Sequence, residues 1–149
     1  MKLSLIAPMY NEEANVERTY RLVTEELDRA GYLDRELIFV NDGSTDSTWE
    51  KAKALAKKKD DLIVLGYSHN QGRGKALRTG FDTASGDFVL SFDFDLSYSP
   101  DHLTRMLDYL KQHPEIDVVL TSCYLPGGKT EGVPRVRLWS SKLGNYLLR

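Results

Sequence analysis

Cysteine is nearly absent. Cys123 is the only thiol among 149 residues, which rules out an internal disulfide and a cysteine-rich metal site. An excess of charge is missing too: 20 Lys+Arg stand against 22 Asp+Glu, for a net charge of −2. Nucleic-acid binders usually carry a basic surplus, so no nucleic-acid partner is expected. The longest apolar runs are a few residues, against the roughly 20 that a membrane-spanning helix needs. Met1-Lys2-Leu3 leads into a strand-like segment without a signal-peptide pattern. The chain therefore reads as cytoplasmic or cytoplasm-facing. It has no internal repeat and no low-complexity tract beyond Lys57-Lys58-Lys59, a run that suits the negative end of a helix dipole. What remains is 41% apolar and 28% charged residues, the balance of one soluble globular domain.

Hydrophobic periodicity divides the chain into alternating strands and helices. Leu3 to Ala7 is an almost unbroken apolar run ended by Pro8, as expected of a strand buried on both faces. Val16, Tyr20, Val23, Leu27 and Ala30 then mark one face of a helix, with Gly31 as its stop. Leu37 to Val40 predicts a second strand. Ser44-Thr45-Asp46 offers caps for a helix carrying Trp49, Ala52 and Leu55. Leu62 to Leu65 predicts a third strand, Arg73 to Ala84 a helix, and Phe88 to Leu90 a fourth strand. Ser99-Pro100 opens a helix with Leu103, Met106, Leu107 and Leu110 on its inner face. Ile116 to Leu120 predicts a fifth strand. A Pro/Gly-rich loop, Leu125 to Pro134, separates it from a last helical pattern on Val136, Leu143, Tyr146 and Leu147. Such alternation implies an α/β fold, a mainly parallel sheet with helices on both faces. Ligands of such sheets sit at the carboxyl ends of the strands, so chemistry is sought just after each strand.

After the first strand stands Pro8-Met9-Tyr10-Asn11-Glu12-Glu13, and after the second Asn41-Asp42-Gly43-Ser44-Thr45-Asp46. Both can be read as turns and helix caps. Asp42, however, falls at a strand end beside Gly43, which leaves room for a ligand ring or backbone. After the third strand, His69 to Lys75 combines Gly72 and Gly74 with Arg73 and Lys75. This loop suits phosphate without matching the P-loop pattern, and no dinucleotide fingerprint follows the first strand. The fourth strand ends in Asp93-Phe94-Asp95-Leu96-Ser97. Two carboxylates so close are costly unless a cation sits between them. Mg²⁺ or Mn²⁺ prefers oxygen ligands and shares its shell with substrate phosphates. A nucleoside diphosphate with a divalent metal is the economical reading. His69, His102 and His113 lack triad or ligand spacing. Trp139 reads as core, and Cys123 as the end of a buried strand.

Taken in order, Ala7 to Glu12, Val40 to Asp46, Asn70 to Ala76 and Asp93-Phe94-Asp95 resemble the pattern of glycosyltransferase family 2. That resemblance implies the GT-A fold over essentially the whole chain. It assigns Pro8, Tyr10, Glu12, Val40 and Asp42 to the nucleoside of a sugar nucleotide, with Gly72, Lys75 and Phe94 completing the donor site. Asp93 and Asp95 become the catalytic pair. Asp93 faces the ribose and metal region, and Asp95 ligates the metal on the diphosphate. Within the family, Ser99-Pro100 and Tyr124 to Gly128 are most similar to the dolichyl- and polyprenyl-phosphate branch. Arg137 and Ser141, four apart, match the segment that there holds the lipid phosphate, and Asn145 and Arg149 continue it. Two positions depart. Ser97 stands where relatives commonly place a metal-ligating Gln, and Cys123 where they commonly place a phosphate-clamping Arg, a charge that Arg135 or Lys129 could replace.

The resemblance implies inverting, metal-dependent transfer of mannose or glucose from a GDP- or UDP-sugar to a polyprenyl or dolichyl phosphate. Lys75 or Arg73 adds charge stabilisation, and the lipid acceptor brings the protein to a membrane surface. The alternatives are transfer to a saccharide hydroxyl, a nucleotide-binding fragment without turnover, and a nucleotidyltransferase. The last normally places its phosphate loop after strand one, where Pro8-Met9-Tyr10 stands. Against the family pattern 149 residues is short, so residues 1–149 are expected to be one catalytic domain truncated on its acceptor side.

Overall fold

Four short strands, each followed by a helix, alternate along the computed structural model, which describes residues 1–122. They are β1 (Leu3–Met9), α1 (Val16–Arg29), β2 (Arg35–Asn41), α2 (Thr48–Ala56), β3 (Leu62–Gly66), α3 (Arg73–Thr83), β4 (Phe88–Ser91) and α4 (Asp101–Gln112). All strand pairs are parallel, in the order β3-β2-β1-β4. The chain steps outward from β1 to β2 and β3, then returns to the other side of β1 to form β4. This reversal puts a switch point between the carboxyl ends of β1 and β4, the place where open α/β sheets bind ligands.

β1 and β2 are buried on both faces, and each face has its own core. Leu3, Leu5, Ala7, Met9, Leu37, Phe39 and Leu90 pack with Val16, Tyr20, Val23 and Leu27 of α1, Ala52 of α2, and Leu103 and Leu107 of α4. Ile6, Ile38 and Val40 point the other way, onto Ala76 of α3. Helices therefore cover both faces, as the strand–helix alternation predicts, three on one side and α3 on the other.

Three local expectations change. Pro8 does not end the first strand, which continues to Met9 opposite Asn41. Pairing with β4 stops at Ile6–Ser91, followed by one bond from the Phe92 N–H to the Ile6 carbonyl. The missing Pro8 N–H would face that same side, past the last rung, so no ladder bond is lost. Ala30 is exposed rather than on the inner face of α1, because the helix has ended before it. Gly31 at φ +80° closes it: the Gly31 N–H reaches the Asp28 carbonyl and the Tyr32 N–H the Leu27 carbonyl, a Schellman ending with Tyr32 and Leu27 both in the core. The expected fifth strand is not formed. Ile116 to Leu120 carries no strand, with Val118 69% and Leu120 82% exposed. Apolar content alone does not make a strand, which exists only through a hydrogen-bonded neighbour. These residues begin a second unit, Ile116–Arg149, distinct from Met1–Glu115. The helical pattern on Val136 to Leu147 lies outside the described residues, as do Cys123, Tyr124, Arg137, Trp139, Ser141, Asn145 and Arg149.

At the opposite, amino-terminal edge, buried Glu36 ties three segments together. Its carboxylate accepts from the Ser4 hydroxyl (2.6 Å) and the Ser85 N–H (2.7 Å), and pairs with the Lys2 ammonium at 2.7 Å. Burial works to raise its pKa, but the bonds from Lys2, Ser4 and Ser85 outweigh it and bring the value down to about 2. The ordinary value is 4.5, so the bound carboxylate stabilises the fold fully above pH 4.5. That contribution fades as pH falls toward 2, and a difference of this size corresponds to at most about 3 kcal/mol. Glu36→Gln is accordingly expected to unfold at lower urea than the wild type at pH 7, with the gap closing near pH 2. An equal gap at both pH values in urea titrations would contradict the assignment.

Candidate functional site

Because every strand is parallel, the loops after β1, β2, β3 and β4 emerge at one edge of the sheet, and side chains join each to the next. The loops after β1 and β2 close like a zipper. The Asn11 N–H donates to Ser44 Oγ (3.0 Å), and Asn11 Oδ1 accepts from the Thr45 N–H (2.8 Å). The Glu12 N–H donates to Thr48 Oγ1 (2.7 Å), and the Ser47 N–H to Glu13 Oε2 (3.2 Å). Asn11 reaches this geometry at φ +54°, a region that Asn tolerates better than most residues. None of the three expected caps is the N-cap of α2, which is Ser47 without a side-chain cap bond; Asp46, one residue before it, accepts from the Thr48 N–H at 2.9 Å. Ser44 and Thr45 are instead bonded to Asn11. Burial tends to raise the Asp46 pKa, yet the Thr48 hydroxyl and N–H and the Glu13 N–H hold it below the ordinary value.

The β2 and β3 loops meet at Asp42 and Gly43. Asp42 is 4% exposed, and its Oδ1 accepts from the Gln71 N–H at 2.7 Å. Gly43 adopts φ +68°, and a Cβ there would lie 2.2 Å from the His69 carbonyl carbon and 2.4 Å from the Asn70 nitrogen. The space left by the missing Gly43 side chain is thus filled by the 69–70 backbone. The β3 and β4 loops meet through Arg73, whose Nη2 donates to Asp93 Oδ1 at 2.7 Å.

The segment after β4 alternates. Asp93, Asp95 and Ser97 are exposed, while Phe94 is buried, edge-on to Phe39 with ring centroids 4.8 Å apart. The Thr19 hydroxyl donates to the Phe94 carbonyl at 2.7 Å. Phe94 therefore anchors the two carboxylates from below. Ser97 folds back on Asp95, its hydroxyl 2.7 and 2.8 Å from the two carboxylate oxygens and its N–H 2.9 Å from Oδ1.

The other expected donor-site residues divide by exposure. Tyr10 is 46% exposed, Glu12 is partly buried and accepts from Asn15 Nδ2 at 2.6 Å, and Pro8 is partly buried. Val40 is fully buried against α3, so its side chain supports the edge from beneath. Gly72 caps α3 at φ +91°, and Lys75 is exposed in its first turn. Asn11 and Gln71 escape the sequence reading because their bonds to distant loops run largely through their own backbone N–H groups. The neighbouring Ser/Thr cluster, more than one cap needs, is the one hint of them.

The donor set at Asp93, Asp95 and Ser97 is all oxygen, which suits a hard divalent cation. No group of three His, Cys, Asp or Glu is gathered for a metal among the described residues. A cation here would take two carboxylates and fill the rest of its shell from elsewhere, the habit of Mg²⁺ bound through substrate phosphates.

A parallel sheet with four linked loops and an acidic pair beside its switch point defines an α/β domain of the GT-A kind. Comparison with known proteins gives the family. The glycosyl transferase family 2 model matches residues 4–149, and the chain belongs to that family. It is 34% identical over 142 residues to a dolichol-phosphate mannosyltransferase of Pyrococcus furiosus, covering 95% of this chain and 39% of that protein. It is 40% identical over 120 residues to a bactoprenol glucosyl transferase of Shigella phage SfV, covering 80% of this chain and 38% of that one. Among solved structures, the mannosyltransferase PcManGT from Pyrobaculum calidifontis, in complex with GDP-Man and Mn²⁺, aligns with a TM-score of 0.62 at 26% identity, covering 72% of this chain and 32% of that one. TarS 1-349 of S. aureus in complex with UDP-GlcNAc aligns at 0.60 and 28% identity, covering 76% and 32%. The chain thus spans about two fifths of the curated relatives' length. No helix among the described residues is long and apolar enough to cross a membrane.

Proposed function

We propose that residues 1–149 are the donor-binding part of an inverting, metal-dependent hexosyltransferase. It takes mannose or glucose from a GDP- or UDP-sugar and delivers it to a polyprenyl or dolichyl phosphate. The observation that carries this reading is the unbroken chain of loop contacts, Asn11 to Ser44, Asp42 to Gln71 and Arg73 to Asp93, which gathers nucleoside-type and diphosphate-type groups at one sheet edge. Tyr10, Glu12 and Asp42 hold the nucleoside, supported by Pro8 and Val40. Gly72 and Lys75 receive the diphosphate, and Phe94 keeps Asp93 and Asp95 in place. Asp93 and Asp95, with Ser97 alongside, would hold Mg²⁺ or Mn²⁺, which would supply positive charge to the leaving diphosphate. The bond from the anomeric carbon to the diphosphate breaks as one to an acceptor phosphate oxygen forms on the opposite face. That oxygen is already ionised near pH 7, because a phosphate monoester loses its second proton near about pH 6. No general base is then needed. Arg137 and Ser141 are proposed for the lipid phosphate, which brings the enzyme to the cytoplasmic face of a membrane.

Titration with GDP and UDP, with and without Mn²⁺, tests the donor site. The expected result is metal-dependent binding of one of them, and no such binding of either sinks the reading. Radiolabelled transfer to polyprenyl phosphate tests the rest. Residues 1–149 are expected to bind nucleotide better than they transfer sugar. Vigorous transfer by these residues alone contradicts the division into donor and acceptor parts.

A further inference from the structure

We propose that Arg73 is a displaceable counter-cation, holding Asp93 until a nucleoside diphosphate draws the guanidinium away and frees the carboxylate for a divalent cation. The inference rests on the donor-site reading above and adds an order to it: nucleotide and metal enter together.

The two carboxylates of the β4 loop are held differently. Asp95 is bonded within its own turn by the Ser97 N–H and hydroxyl, so its oxygens are already oriented. Asp93 is instead paired across the site, through one 2.7 Å bond to Arg73, with the side chains 62% and 45% exposed. An ion pair this open shifts an equilibrium by at most about fivefold, so a stronger partner can take either member.

Arg73 also sits where a cation is poorly served. It is the first residue of α3, next to the positive end of the helix dipole. The first turn of α3 has no acidic residue, and Lys75 adds a second positive charge. Only Asp93, twenty positions away, answers Arg73 among the described residues. A diphosphate offers more negative charge than a carboxylate and paired oxygens that fit the guanidinium fork. A ligand at this helix end would thus remove the guanidinium from Asp93 and leave both carboxylates to the metal. Linkage makes the effect reciprocal: each ligand tightens the other by the same factor.

The test measures Mn²⁺ binding to residues 1–149 by electron paramagnetic resonance, without nucleotide and with saturating GDP or UDP. In the wild type, nucleotide is expected to tighten Mn²⁺ binding. Arg73→Gln is expected to tighten nucleotide-free Mn²⁺ binding by roughly fivefold and to reduce the nucleotide effect by a similar factor. Arg73→Lys, which keeps the charge but not the fork, should stay near the wild type in nucleotide-free Mn²⁺ binding and fall between the wild type and Arg73→Gln in the nucleotide effect, and neither variant should move the thermal midpoint. If the wild type shows nucleotide-linked Mn²⁺ uptake but Arg73→Gln binds free Mn²⁺ no tighter, the counter-cation role falls and the donor site stands. If the wild type takes up no Mn²⁺ with either nucleotide, both fall.

Discussion

Asp95→Asn is expected to abolish metal-dependent nucleoside diphosphate binding while leaving the fold intact. The asparagine oxygen can still accept from the Ser97 N–H and hydroxyl, which now stand 2.9 and 2.7 Å from Asp95 Oδ1. The position is exposed, so stability should change by no more than about 0.5 kcal/mol. What disappears is the negative charge that a hard cation requires. Replacing residues that merely support a metal ligand lowers metal affinity by about 10- to 100-fold, so loss of a ligand should cost about 100-fold or more. Ser97→Ala gives the scale. It leaves both carboxylates charged but releases Asp95 from its turn, and an effect of about 10-fold is expected. Calorimetric titration with GDP or UDP and Mn²⁺, beside a thermal melt, reads both quantities. Wild-type affinity in Asp95→Asn would remove this carboxylate from the metal site.

The positions of these groups along the chain are largely legible in the sequence, since apolar periodicity reports what each element buries. Leu3 to Ala7 and Leu37 to Val40 read as strands covered on both faces, and both faces are filled. The strand ends carry Asp42, Asp93 and Asp95, and the structure links the loops that bear them at one sheet edge. Partnerships across loops were not legible, because a one-dimensional pattern does not say which loop a polar side chain meets. Ser44 and Thr45 have the composition of helix caps, yet their partner is Asn11, more than thirty residues earlier. Pro8 looks like a strand terminator, and only the shorter reach of β4 explains why the strand passes through it. Ile116 to Leu120 shows the converse. Its residues would suit a strand, but the hydrogen-bonded neighbour that makes one is not encoded in the segment itself.

The same gap makes Gly43 the position where one added carbon should do most damage. Beside a strand-end Asp it reads as space left for a ligand, but the space belongs to the β3 loop. An alanine Cβ would stand 2.2 Å from the His69 carbonyl carbon, 2.4 Å from the Asn70 nitrogen and 2.6 Å from the His69 Cα. All three are main-chain atoms, so no side-chain rotation can relieve the clash. The backbone at φ +68° adds the left-handed cost of a non-glycine residue, about 1–2 kcal/mol. Overpacking contributes about 1–3 kcal/mol more. The Gly43→Ala variant should therefore lose on the order of 3–4 kcal/mol in urea unfolding. The two loops must also separate, which breaks the bond from the Gln71 N–H to Asp42 and weakens nucleoside diphosphate binding in whatever fraction stays folded. Gly74→Ala is the control. Its Cβ meets nothing within 4 Å, and it lies inside α3, where alanine is favoured over glycine by about 0.5–1 kcal/mol. Equal unfolding midpoints for the two variants would mean that the β2 and β3 loops do not touch at Gly43, and the gathering of the site at one sheet edge would lose its middle link.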